Sequence, residues 1–145
     1  MSMVDVSAKP EVYREAKAKG TIKLKPQTIQ LIREGKIEKG NPFEIAKVAG
    51  ILAAKNTSSM IPLCHPLPLT GIDVNLQIVN DTKVEVKTTV KTRAQTGVEM
   101  EALVAAATAL LTVWDMTKQY EKDTHGQYPS TSIQNLHVVS KVKEK

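Results

Sequence analysis

Ile72-Asp73-Val74-Asn75-Leu76-Gln77-Ile78 and, after a short break, Lys83-Val84-Glu85-Val86-Lys87-Thr88-Thr89-Val90-Lys91 decide the fold. In the first run, Ile72, Val74, Leu76 and Ile78 alternate with Asp73, Asn75 and Gln77. In the second, Val84, Val86, Thr88 and Val90 fall on one side, with Lys83, Glu85, Lys87 and Lys91 opposed to them. A period of two is the mark of a strand with one buried face. Asn80-Asp81 lies between the runs, and both residues tolerate positive φ, which predicts a tight hairpin there. One face of that hairpin needs a cover. Helices are the expected cover.

Working outward, residues 17–25, ending Thr21-Ile22-Lys23-Leu24-Lys25, read as another strand. Pro26 opens a short helix over Gln27–Gly35, with Ile29, Leu31 and Ile32 on its apolar side. The next helix has a marked start: Asn41 as cap, Pro42 at the first helical position and Glu44 at capping-box spacing. Ile45, Val48, Ala49, Leu52 and Ala53 continue its apolar side. A long helix is expected from Thr96, with Glu99 again at capping-box spacing, and residues 97–121 contain no proline. Its alanines (102, 105, 106, 107 and 109) make a thin surface suited to close packing. After Gly126 and Pro129, a last strand is expected from about Thr131 to Val142. This order predicts an α+β, ferredoxin-like βαββαβ sandwich: an antiparallel sheet covered by helices, with an extra short helix. All 145 residues fit one domain, with about the first 12 expected to be mobile.

Composition narrows the function classes. Aromatics make up only 3% of the chain, so the core must come from Val, Ile, Leu and Ala. Scarce rings also argue against a single-stranded nucleic-acid module, which stacks bases on aromatics. The formal charge of +5 favours anionic partners. One cysteine cannot close an internal disulfide, which suits a reducing compartment. Met1-Ser2-Met3-Val4-Asp5 shows no signal peptide, and no apolar run approaches membrane-spanning length. A cytoplasmic protein is expected.

Several residues could carry chemistry. Lys39-Gly40 precedes a helix start, where backbone N–H groups favour an anion; the plain alternative is a solvated loop lysine. Cys64-His65 sits in the proline-bounded run Ile61-Pro62-Leu63-Cys64-His65-Pro66. One Cys and three His without paired spacing do not make a zinc site, and no metal site is expected. Neighbours in an extended segment point apart, so a Cys–His dyad is also disfavoured. His65 remains a candidate substrate ligand or proton shuttle, against a packed structural role. Glu99 is explained as a cap, which leaves Glu101 as the better site candidate. Asp115 and Lys118 are helix neighbours, either an exposed ion pair or a proton-transfer pair. Packed surroundings at Leu110, Leu111, Val113 and Trp114 predict a desolvated Lys118 with a lowered pKa. Asp115 follows Glu101 by 14 positions, which is about 21 Å along one helix side. Either a long substrate or a second subunit must bridge that distance.

The ordered set resembles the molybdenum cofactor biosynthesis protein C family, also called cyclic pyranopterin monophosphate synthase. It comprises Met3-Val4-Asp5-Val6-Ser7, Arg14-Glu15-Ala16, Lys39-Gly40, Ala49-Gly50-Ile51, Ala53-Ala54-Lys55, Leu63-Cys64-His65, Gly97-Val98-Glu99-Met100-Glu101-Ala102-Leu103, Asp115-Met116 with Lys118, and Lys122-Asp123. The resemblance implies a lyase that converts 3′,8-cyclo-dihydro-GTP into cyclic pyranopterin monophosphate and releases pyrophosphate. It implies Asp115 as catalytic acid/base with Lys118 as partner. It implies substrate contacts from Leu63, Cys64, His65, Met100 and Glu101, and pocket lysines at Lys39 and Lys141. It further implies a homohexamer built from dimers, with active sites at subunit interfaces. No cofactor is required, although magnesium could accompany the triphosphate. Many members end in a glycine-rich basic tail, whereas this chain ends Lys141-Val142-Lys143-Glu144-Lys145. The rival readings are a ferredoxin-like nucleic-acid-binding module and a nucleotide-sensing domain without turnover.

Overall fold

The computed structural model describes residues 1–144; Lys145 lies outside the described residues. The elements run β1 (Val12–Lys23), α1 (Pro26–Arg33), α2 (Pro42–Lys55), α3 (Thr57–Met60), β2 (Leu69–Asn80), β3 (Lys83–Ala94), α4 (Glu99–Glu121) and β4 (Ser132–Lys143). The four strands form one antiparallel sheet in the order β2-β3-β1-β4. This is the ferredoxin-like arrangement expected from the sequence, with α1 to α3 filling the first crossover.

Helices α2 and α4 lie on one face of the sheet. The inward residues of β1 (Ala16, Ala18, Ile22) and β3 (Val84, Val86, Val90) meet Ala102, Ala105, Ala106 and Ala109 of α4, all of them buried. The alanines let the helix backbone come close, as the thin surface predicts. Gly50 of α2 shows how close: a Cβ there would stand 3.1 Å from the Ala105 carbonyl oxygen and 3.1 Å from Val74. The opposite face of the sheet is open and lysine-rich, with Lys17, Lys87 and Lys91 exposed. Helix α4 is long and apolar enough to cross a membrane, contrary to expectation, but it carries the core.

Several boundaries differ from the sequence reading, each for a visible reason. Strand β1 starts at Val12 rather than at residue 17. Its inward positions there are Arg14 and Ala16, which a search for large apolar residues passes over. The strand stops at Lys23, because Leu24 N–H turns to the Thr82 carbonyl (2.7 Å) and Lys25 becomes the α1 N-cap. The hairpin turns at Asp81-Thr82, and neither residue has positive φ. Asn80 stabilises the turn through its side-chain oxygen, which accepts from Thr82 N–H at 2.9 Å.

Helix α2 begins as expected, with Asn41 Oδ1 accepting from Phe43 and Glu44 N–H. Helix α4 does not. It starts at Glu99 with Val98 at the N-cap and no side-chain cap, so Glu99 is not a capping residue. Beyond β3 the Arg14 guanidinium donates to the carbonyls of Ala94 and Gln95, and the chain bends at Gln95 and Thr96 before the helix begins. The other end of α4 is clamped by Glu121. That buried carboxylate accepts from Lys25 N–H, the Thr28 hydroxyl and the Thr131 hydroxyl, tying α4 to the start of α1 and the approach to β4.

Candidate functional site

The candidate residues fall into two clusters, one at each end of α4. At its N-terminal end, the segment after α3 brings Leu63, Cys64 and His65 against Glu99 and Met100, around a hollow of about 360 Å³. Glu101 stands behind Cys64 and is only 3% exposed. Its Oε2 lies 3.9 Å from the Cys64 thiol, and Oε1 has no hydrogen-bond partner among the described residues. Burial pushes the Glu101 carboxyl above its ordinary range, and the neighbouring Glu99 charge adds to this. The Cys64 thiol is pushed up as well, first by burial and then by Glu101. Cys64 is therefore a thiol that donates to Glu101, not a thiolate nucleophile. His65 is turned elsewhere, with Nε2 donating to the Val4 carbonyl at 2.6 Å. The segment is a turn rather than the extended run expected, with Cys64 N–H donating to the Ile61 carbonyl, and the two side chains find different partners, Glu101 and Val4.

Glu99 also belongs to this cluster. Its carboxylate pairs with Lys141 of β4 at 3.1 Å. Burial alone would raise the Glu99 carboxyl, but its own backbone N–H and Lys141 outweigh burial and bring it below the usual range. Two carboxylates two residues apart are thus driven in opposite directions, Glu101 above and Glu99 below the ordinary glutamate range.

The C-terminal cluster is built on Asp115. Lys118 Nζ stands 2.9 Å from one carboxylate oxygen, and Lys39 Nζ stands 3.5 Å from the other and 3.0 Å from the Asp115 main-chain carbonyl. Lys39 gets there because α4 holds the preceding residue. Tyr120 Oη accepts from Glu38 N–H, and Gln119 donates to the Glu38 carboxylate, both at 2.9 Å. Lys39 is thus a ligand of Asp115, while Asn41 occupies the N–H groups at the start of α2. The Lys118 hydrogen bond, then its charge, then that of Lys39 hold the Asp115 carboxyl low, and Asp115 in turn raises Lys118. The expected desolvated lysine with a lowered pKa is not found in the single chain. All three side chains are open, Lys118 at 42% and Asp115 at 60%. Trp114, next to Asp115, packs edge-on against Tyr128 with ring centroids 5.2 Å apart.

The two clusters do not meet within one chain. The hollow beside Glu99 and the lysine pair on Asp115 are separated by most of α4. A groove of about 370 Å³ on the open sheet face, lined by Lys17, Lys19 and Lys87, offers no carboxylate, thiol or imidazole to either cluster. No group of three or more His, Cys, Asp or Glu side chains among the described residues could hold a metal ion.

The model of the MoaC family matches residues 3–144. The chain belongs to the MoaC family. Over 144 residues it is 56% identical to a probable cyclic pyranopterin monophosphate synthase of Pyrococcus furiosus, covering 99% of this chain and 92% of the relative. A protein of the same name from Saccharolobus solfataricus is 54% identical over 143 residues, covering 99% and 95%. A Methanothermobacter thermautotrophicus relative, 53% identical over 141 residues, is named a probable cyclic pyranopterin monophosphate synthase accessory protein, with coverage of 97% and 88%. This MoaC chain is accordingly an enzyme of molybdenum cofactor biosynthesis, a lyase.

Three features of this MoaC site escaped the sequence reading: the Glu99–Lys141 pair, the Lys39–Asp115 contact and the Val4–His65 bond. The first had a trace in the sequence, because Gly97 precedes Glu99 and leaves room for its carboxylate, which a Cβ at Gly97 would strike. The others join residues 76 and 61 positions apart, and no local pattern carries them.

Proposed function

We propose that this chain converts 3′,8-cyclo-dihydro-GTP into cyclic pyranopterin monophosphate with release of pyrophosphate. The observation that carries this reading is the ionised Asp115 held between Lys39 and Lys118. Rebuilding a guanine-derived ring into a pterin requires several proton transfers, and a carboxylate bonded to an ammonium can relay them. Closing the cyclic phosphate means attack of a sugar hydroxyl oxygen on the innermost phosphorus, with pyrophosphate leaving. Lys39 and Lys141 are suited to stabilise that developing charge. Leu63, Cys64, His65, Met100 and Glu101 hold the ring system, with Glu101 presenting its unpartnered oxygen to it. Magnesium, if present, arrives with the triphosphate as part of the substrate.

A complete pocket then needs both clusters, and a second subunit supplies the missing one. The reading includes a cytoplasmic homohexamer built from dimers. Exposed Ile45, Val48 and Leu52 on α2 and Leu111 on α4 support the assembly, since they form apolar faces that a lone chain leaves wet. The test is direct. The purified chain, given the cyclised dihydro-GTP, should release pyrophosphate, and Asp115→Asn should lower kcat at least about a hundredfold. An active Asp115→Asn variant removes Asp115 from the chemistry, and an inactive wild-type chain refutes the reaction.

A further inference from the structure

The segment Met3-Val4-Asp5-Val6-Ser7 belongs to no helix or strand, and Met3 and Val4 are open to solvent. A chain end of this kind ordinarily frays. Here it is tied at one point, the Val4 carbonyl, which accepts from His65 Nε2 at 2.6 Å across 61 positions of sequence. Two turns shape the approach. Asp5 Oδ1 accepts from Ser7 N–H at 2.9 Å, and Lys9 N–H donates to the Val6 carbonyl at 3.0 Å. The Asp5 carboxyl is held low mainly by Ser7, with a smaller contribution from His65, so an anionic group stands near the ring.

The chemistry of that contact is one-sided. A carbonyl oxygen only accepts, so Nε2 must carry the hydrogen. A neutral imidazole has a single N–H, which leaves Nδ1 bare. Among the described residues, His65 Nδ1 has no hydrogen-bond partner. We propose that the N-terminal segment is a positioning element of the site: the Val4 carbonyl fixes the Nε2–H tautomer of His65, so that the ring meets the substrate through Nδ1, as an acceptor for an N–H or O–H group. The proposal rests on the reading that His65 contacts substrate. A proton leaving the substrate at this point goes to Nδ1, and the imidazolium formed keeps its Nε2–H on Val4, with the Asp5 charge nearby. His65 in this arrangement takes a proton first and gives one only afterwards.

The full-length chain with ¹⁵N-labelled histidine rings tests this by NMR at alkaline pH. Its three histidines are told apart by comparison with His65→Gln. The His65 ring should show a protonated Nε2 and a bare Nδ1; a protonated Nδ1 overturns the proposal. Deleting residues 2–8 should then give mixed tautomers at His65 and lower pyrophosphate release about tenfold, in kcat rather than KM. Unchanged turnover, or an unchanged ring spectrum, in the deletion variant also overturns it. If the deletion variant does not fold, the full-length spectrum decides. A full-length chain with the Nε2–H ring but no pyrophosphate release counts against the reaction proposed above and leaves the tautomer assignment standing.

Discussion

Glu101 is the residue where the fold carries a buried, incompletely partnered carboxyl. Its carboxyl is buried, one oxygen is unpartnered, and burial together with Glu99 raises its pKa. The sign follows from linkage. The unfolded chain releases this proton first, so stability present at low pH is lost as pH rises from the ordinary glutamate range through the raised folded value. Glu101→Gln removes the ionisation. It should match wild type near about pH 4 and be more stable near about pH 8, by on the order of 1 kcal/mol, while turnover falls. Equal melting curves for the two proteins at both pH values would show that the carboxyl is not strained by burial. The neighbouring glutamate shows what a sequence conceals at this scale. Glu99 sits at capping spacing from Thr96, yet Arg14, 80 positions from Ala94, holds the carbonyls at the end of β3, and α4 begins only at Glu99. Capping patterns register local geometry only. Glu101 stands out in the sequence because no local role explains it, and the structure shows it buried with one oxygen unpartnered.

Among the elements, the strands of the hairpin and the start of α2 were legible, because alternation and the Asn41-Pro42 signal depend on neighbours alone. The beginning of β1 was not, since small inward residues do their work only when a helix lies against them. Gly50 is the clearest case of a helix surface shaped by its partner. Alanine would improve the intrinsic helix preference of α2 by about 1 kcal/mol. Its Cβ would also press on the Ala105 backbone carbonyl and on Val74, both at 3.1 Å, and overpacking of this kind costs about 1–3 kcal/mol. The carbonyl belongs to a core helix and cannot swing aside, so packing should prevail. Urea unfolding of Gly50→Ala should show a net loss of about 1 kcal/mol. A gain would mean that α2 and α4 can separate without penalty.

At the scale of the molecule, α4 is a rigid spacer with different chemistry at each end, a buried carboxyl raised above the ordinary glutamate range at one and a carboxylate between two ammonium groups at the other. If each pocket joins opposite ends from two chains, a His65→Ala variant and an Asp115→Asn variant should restore one another. Mixed and reassembled oligomers should regain a measurable share of pyrophosphate release, because some interfaces hold a pocket with both residues intact. Proven mixed oligomers that stay inactive would place both residues in one chain's pocket. Scarce aromatics have an experimental consequence of their own. The chain has one tryptophan, and it lies against Tyr128, one position before Asp115. Ultraviolet excitation at its red edge therefore lights a single emitter per subunit, seated beside the charged end of α4 and far from the buried acid. If the proposed pocket forms, arrival of a polyanion beside Asp115 can be followed in real time through this tryptophan without a label.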